Sequence, residues 1–324
     1  MYVFKCSRRV FLVLLSRSFD IVSLTISLTA TLMYALLQVS VRAVKGSRLY
    51  MEDEYFVGNG GKFVGVFDGH GGGDVSGHLR QNLYQQFLQQ LTRKQWEFDQ
   101  DKHQISLKSM VSALRAAFEA IDTEVLGKDT MKYQGSTAVA VAIYEGNDGS
   151  RTLVSANVGD SRAVLCRQGK AVDMTRDHKP SDERERARIE NMGEQIEWDN
   201  YSKVHRVKNL SLSRAIGDRF AKPTVSGEAE IKLFPVREGD EFILLASDGL
   251  WDVMTSEQVV EFVHQKLDAL RPSGSRSEGD NITRRLKDVR RKNMSRYVAT
   301  EALKRGSGDN VCVVIVWLKP LDEP

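Results

Sequence analysis

Hydrophobic positions along this chain come in two forms, short unbroken runs and longer stretches at helical spacing. Phe63-Val64-Gly65-Val66-Phe67 is an unbroken apolar run and predicts a buried strand. Thr137 to Tyr144, Arg151 to Val158, Ala163 to Arg167, Glu241 to Ser247 and Val311 to Leu318 read the same way, and the run from Val39 to Val44 is strand-like. Leu107, Val111, Leu114, Phe118, Ile121 and Val125 recur at helical spacing and predict a helix over Leu107 to Leu126 with one buried face. Further helices are expected over Asp74 to Leu91, Ser181 to Met192 with Ser181 as cap, Ser256 to Leu270, and Met294 to Arg305. Gly58-Asn59-Gly60-Gly61 predicts a hairpin leading into the Phe63 run, whereas Gly193 to Gly227 predicts mostly irregular chain. The polar, basic stretch 271–293 reads as an exposed insertion whose charge run is a solvated face.

The first residues, 1–38, form an apolar N-terminal segment. Lys5, Arg8, Arg9 and Arg17 surround Val10 to Leu15, and nothing from Ile21 to Val39 is charged. That length is near the roughly 20 residues of a membrane span. Three readings stand: membrane association through residues 10–38, an organellar or cleavable targeting segment, or a helix lying on the folded domain. Against an anchor, the Val39 strand follows with almost no linker. The basic flank would also place the remainder beyond the membrane, exposing the sequon Asn209-Leu210-Ser211. The expected location is the cytoplasm or a cytosol-facing membrane, with organellar targeting as the alternative.

With 324 residues the chain is long enough for one large core, and 41% hydrophobic with 27% charged residues argues against disorder. A formal net charge of +3 does not call for nucleic acid as a partner. The 3 cysteines include no CxxC pair, which argues against a disulfide framework and against a zinc site; Cys166 and Cys312 read as reduced core residues.

The chemistry lies where strands end. Asp68 and Asp248 terminate predicted strands, Asp309 precedes the last one, and the hairpin brings Glu52 toward Asp68. A single Asp beside a strand is usually a turn or cap. Several carboxylates on one sheet rim repel one another and need a cation between them. Hard oxygen donors, with no nearby Cys and few His, select Mg²⁺ or Mn²⁺. Two such ions about 3.5–4 Å apart activate a hydroxide for in-line attack on phosphorus. Arg48 has the planar fork to grip phosphate, and His70 can protonate the leaving group.

The residues just named belong to an ordered series. Arg48 with Met51-Glu52-Asp53, Phe67-Asp68-Gly69-His70-Gly71-Gly72, Gly135-Ser136-Thr137 and Val158-Gly159-Asp160-Ser161-Arg162 are followed by Asp177-His178-Lys179-Pro180. Ser213-Arg214-Ala215-Ile216-Gly217-Asp218, Ser247-Asp248-Gly249-Leu250-Trp251-Asp252 and Asp309-Asn310-Val311 complete it. In order, these resemble the motifs of the metal-dependent serine/threonine protein phosphatases of type 2C, the PPM family. The resemblance implies an α+β fold, a four-layer α-β-β-α sandwich of two antiparallel sheets packed face to face with helices outside, over a phosphatase domain at 39–320. It implies two Mg²⁺ or Mn²⁺ ions, with Asp68 bridging, Gly69 giving a carbonyl, and Glu52, Asp248 and Asp309 completing the sites. Asp160 and Asp252 match positions tied to a weaker third ion. Arg48 would bind the phosphate of phosphoserine or phosphothreonine proteins and His70 would be the general acid, in a monomer. Asp53 is expected to support Arg48 or His70, and Asp218 and His178 to be structural. The chain departs from the family at Gly193-Glu194, where a Gly pair is usual, and at Asn209, where Gly is common. The resemblance implies that both lie in the flap beside the active site, so they bear on substrate preference and not on the chemistry. A scaffold that has lost catalysis would lack some of these carboxylates, and a two-metal nuclease would want a basic, aromatic groove.

Overall fold

The computed structural model describes residues 37–98, 105–269 and 278–319. The segment expected over residues 1–38 lies outside them, apart from its last two residues. Among the described residues no helix is long and apolar enough to cross a membrane.

Two five-stranded antiparallel sheets carry the core. One has the order β1 (Gln38–Val44), β15 (Val311–Trp317), β14 (Asp240–Ala246), β8 (Arg162–Arg167), β9 (Lys170–Asp173). The other has the order β13 (Glu230–Pro235), β7 (Arg151–Val158), β6 (Ala138–Glu145), β3 (Phe63–Phe67), β2 (Glu54–Gly58). Their facing sides interdigitate: Val64, Val66, Val139 and Val141 pack with Leu165, Ile243, Leu245 and Val314. The alternate residues point outward and are covered by helices. Phe63, Phe67, Ala138 and Val154 lie against α1 (Asp74–Phe98) and α2 (Leu107–Leu126). Phe242, Leu244, Val313 and Trp317 lie against α5 (Ser256–Asp268) and α6 (Glu278–Lys304). The result is the four-layer α-β-β-α sandwich. Because both faces of each sheet are buried at its centre, inner strands such as β3, β6, β14 and β15 carry near-continuous apolar runs instead of alternating ones.

Helix ends follow local chemistry. The Ser106 side chain caps α2 by accepting from the Ser109 N–H, and Thr255 with Gln258 forms a capping box on α5. The charged helix α3 (Glu183–Asn191) is capped by Asp182, which accepts from the N–H groups of Arg184 and Glu185, and not by Ser181. The last long helix begins at Glu278, well before the expected Met294. Its middle turns run beside β1, where Gln38 Nε2 donates to Asp288 Oδ1 (2.8 Å) and Ser40 Oγ to the Lys292 carbonyl (3.0 Å). Those contacts are polar, so hydrophobic periodicity does not report them. The stretch expected to be irregular contains a hairpin of β10 (Glu197–Asp199) and β11 (Val204–Arg206). A small ladder of β4 (Gly69–His70), β5 (Gly135–Ser136) and β12 (Ile216–Gly217) sits at the sheet rim.

Candidate active site

The β2–β3 hairpin pairs Glu54 with Phe67, which sets Glu52 and Asp53 beside Asp68 at the strand end. Asp68 is held by its backbone: its N–H donates to Thr137 Oγ1 (3.1 Å) and its carbonyl accepts from the Thr137 N–H (2.9 Å). Gly69 packs so closely that a Cβ there would stand 2.7 Å from the Glu52 carbonyl and 2.7 Å from Ser76 Oγ. Only glycine admits that approach. From the neighbouring sheet β14 delivers Asp248, the first residue of the short helix α4 (Asp248–Trp251). Asn310 staples the Arg48–Glu52 loop to β15. Its Oδ1 accepts from the Glu52 N–H (2.7 Å) and its Nδ2 donates to the carbonyls of Lys45 (2.8 Å) and Tyr50 (3.0 Å). Arg48 then reaches Asp309 Oδ2 at 2.6 Å.

These residues surround one cavity of about 240 Å³ lined by Arg48, Glu52, Asp68, Gly69, His70, Asp160, Asp248 and Asp309, among others. Asp252 stands to one side: Lys179 Nζ lies 3.7 Å from its Oδ1 and 3.7 Å from Asp160 Oδ2. The flap contributes Arg206, Leu210 and Ser211 to the lining.

The electrostatics are strained by like charge. Burial, then the charges of Asp53, Asp248 and Asp160, push Asp68 well above the usual carboxylate range. Burial, then Asp160, Asp252 and Asp309, does the same to Asp248. Asp160 is raised by burial, against the nearby Lys179. Asp53 is pushed up to about 7 by burial, against its Ser247 hydrogen bond, with Asp309 adding to the rise. A buried all-oxygen cluster held in this way is the donor set that a divalent Mg²⁺ or Mn²⁺ neutralises, so the residues fit such ions.

His70 Nε2 lies 2.7 Å from Asp218 Oδ2, and Asp218 is fully buried. Asp218 sits in a left-handed turn (φ 48°), and a Cβ at Gly135 would collide with both the Asp218 carboxylate and the His70 ring. Asp218, expected to be structural, therefore touches the histidine directly. Asp53 supports neither Arg48 nor His70 by a hydrogen bond. Its Oδ2 accepts from Ser247 Oγ (2.7 Å), the hydroxyl that also accepts from the Cys312 N–H (2.9 Å). His178, expected to be structural, is buried, and its Nδ1 accepts from the Gly159 N–H (3.2 Å). Arg162 grips Asp177 with two hydrogen bonds, 3.0 and 2.8 Å.

Asn209 takes the left-handed backbone (φ 67°) expected for it, so the turn survives without glycine. Glu194 binds Lys208 Nζ at 2.7 Å and accepts from Thr224 Oγ1, which fastens the flap. Sequence reasoning missed Arg206 and the roles of Asn310 and Ser247. Asn310 and Ser247 stand inside recognised motifs, whereas Arg206 stands in a stretch without periodicity and leaves no local signal.

The family model described as Protein phosphatase 2C matches residues 38–311. Protein phosphatase 2C 77 of Arabidopsis thaliana is 35% identical over 273 residues, covering 79% of this chain and 60% of the relative. Probable protein phosphatase 2C 59 of Oryza sativa subsp. japonica is 39% identical over 253 residues, covering 74% and 71%. A crystal structure of serine-threonine phosphatase 2C from Toxoplasma gondii superposes with a TM-score of 0.69 at 21% identity, covering 88% of this chain and 96% of that one, which bears on the fold alone. Three of the curated relatives are longer proteins, of which the matched region spans 60%, 64% and 56%. With that coverage, and with its motifs gathered around one carboxylate cavity, the chain belongs to the protein phosphatase 2C family.

Proposed function

We propose that the chain is a metal-dependent protein serine/threonine phosphatase, its catalytic domain spanning residues 39–320. The observation that carries this reading is the single cavity where Asp68, Asp248, Asp160, Glu52 and Asp309 converge with Arg48 and His70 at its wall. Asp68, Glu52, the Gly69 carbonyl, Asp248 and Asp309 would hold two divalent ions, and Asp160 with Asp252 a weaker third. Bound there, Mg²⁺ or Mn²⁺ supplies a lowered pKa for water and neutralises phosphoryl charge.

The chain's own groups do the rest. Arg48, whose side chain is 59% exposed, is free to swing from Asp309 to a substrate phosphate as a bidentate donor. His70 Nε2 is engaged by Asp218, which leaves Nδ1 as the ring nitrogen to give its proton to the leaving seryl or threonyl oxygen. Leu49 (83% exposed) and Tyr50 (74%) beside Arg48 offer an apolar rim for residues flanking a phosphorylated side chain. This suits a phosphoprotein better than a free small ester, and the enzyme is taken as a monomer.

Hydrolysis of a phosphothreonine peptide with Mn²⁺ or Mg²⁺, against an EDTA control, tests the reading. Turnover that requires metal and stops in EDTA supports it; a folded, metal-saturated sample without turnover sinks it. A second expected outcome concerns proton delivery. Asp218→Asn suits the left-handed backbone, since Asn tolerates that conformation best among non-glycine residues. It weakens the hold on His70 and lowers phosphopeptide kcat by about 10²-fold, the size of a general-acid contribution. Nitrophenyl phosphate, whose leaving group needs no proton, loses far less. Equal losses on both substrates would remove the positioning role of Asp218.

A further inference from the structure

At the far end of β8 and β14 from the cavity, three metal-ligating side chains meet. Cys166 lies on β8 opposite Phe242 of β14, and both face α5. The ladder between the two strands is irregular between Asp240 and Phe242: Arg167 pairs with Asp240 and Cys166 with Phe242, so Glu241 is the extra residue. Strict alternation would point Glu241 away from Phe242, into the layer between the sheets. The bulge instead turns it to the side on which Cys166 and α5 lie. There its Oε2 is 2.9 Å from His264 Nε2 on α5, and its Oε1 is 3.4 Å from Cys166 Sγ. Cys166 Sγ stands 3.8 Å from His264 Nε2. Oε1 also accepts the Gly169 N–H (2.9 Å) from the tight β8–β9 turn, whose Gln168 and Gly169 both have positive φ.

We propose that Cys166, Glu241 and His264 form a separate binding site for a zinc-class ion. Zinc bonds of about 2.3 Å to sulfur and about 2.0–2.2 Å to nitrogen and oxygen set tetrahedral ligand atoms roughly 3.4–3.6 Å apart. His264 Nε2 stands 2.9 Å from Glu241 Oε2 and 3.8 Å from Cys166 Sγ, and one donor atom from each residue lies within 4.8 Å of the others, so modest side-chain movements seat the ion. Thiolate, imidazole and one carboxylate select Zn²⁺ over the hard ions suited to the all-oxygen cavity. Glu241 and His264 keep 36% and 27% of their side chains exposed, which gives an entry path and room for water as fourth ligand. Binding displaces the Cys166 proton to solvent. Among the described residues this is the one Cys, His and carboxylate group close enough to share an ion. The missing CxxC pair argues against a zinc site only where ligands lie close along the chain; these three come from three separate elements.

β8 begins after Asp160, and β14 ends at Ala246, just before Asp248 and roughly 17 Å from Glu241 at about 3.4 Å per residue. An ion here therefore ties β8, β14 and α5 together without sharing a ligand with the cavity.

The test uses the full chain, stripped with chelator and titrated with Co²⁺ in excess Mg²⁺. The expected result is a thiolate-to-Co²⁺ charge-transfer band, about one tightly held equivalent, and loss of the band when Zn²⁺ is added. Cys166→Ser and His264→Gln each abolish the band, whereas Cys6→Ser and Asp68→Asn keep it. Circular dichroism establishes that each variant is folded, and His264→Gln changes only a half-buried residue of an outer helix should Cys166→Ser not fold. No band, a band that persists in either ligand variant, or a band lost with Asp68→Asn overturns the proposal. None of these readouts depends on phosphatase activity.

Discussion

Asp68→Asn lowers metal-dependent phosphopeptide turnover by about 10³-fold or more, the size expected on losing a principal stabiliser of transition-state charge. The same change leaves the protein in EDTA as stable as the wild type, or more so. Both results come from one geometry. Asp68 is buried among Asp53, Asp248 and Asp160, which repel its charge. In the absence of divalent ions that repulsion opposes the fold, and a neutral amide of the same shape relieves it. The backbone bonds of residue 68 to Thr137 do not involve the side chain and persist. Thermal unfolding with and without Mn²⁺ checks this alongside turnover: wild type rises in Tm with metal, and Asp68→Asn rises much less. A variant that loses activity because it unfolds in EDTA would contradict the account, as would one with unchanged turnover.

Glu185→Ala costs about 3 kcal/mol of stability at neutral pH, measured by urea unfolding. Its side chain is only 1% exposed and accepts from Arg214 (3.0 and 2.6 Å), Arg188 (3.2 and 2.9 Å) and Ser213 Oγ (2.9 Å). Removing one partner of a buried ionic group typically costs about 3–5 kcal/mol, and the lower end applies because both arginines keep a partly solvated edge. Burial by itself would raise the Glu185 pKa, but the hydrogen bonds and charges of Arg214 and Arg188 outweigh it and hold the group down to about 2. A depressed folded pKa stabilises above the unfolded value of about 4.3. That contribution is lost as pH falls from there through about 2. Wild type therefore loses stability more steeply than Glu185→Ala across that acid window. Parallel curves would show that the charge of Glu185 is not what holds the network. Because Ser213 and Arg214 begin the segment that ends in Asp218, the variant also loosens the support of His70.

Much of this protein is legible in one dimension. Runs such as Phe63 to Phe67 and Val311 to Trp317 announce strands buried on both faces, since a sheet covered on both sides can bury apolar residues at successive positions. The Leu107–Leu126 helix is readable to the residue because one buried face repeats at helical spacing. Asp68, Asp248, Asp309 and Glu52 stand out because an acid at a strand end beside glycine is a local pattern.

Only the tertiary structure decided which groups these residues meet. Asp218 and His70 lie far apart in sequence, and their hydrogen bond exists because β4, β5 and β12 form one small ladder. Asp53 looks like a partner for Arg48 until β14 brings Ser247 to it. The stretch of α6 around Asp288 and Lys292 is polar in sequence and is tied to β1 by hydrogen bonds. Cys166, Glu241 and His264 carry no common motif, and it takes a single bulge in β14 to turn Glu241 toward the other two. Hydrophobic burial depends on what each residue is, so it can be read along the chain. Hydrogen bonds and ion pairs depend on what stands within about 3 Å, and folding alone supplies that neighbour.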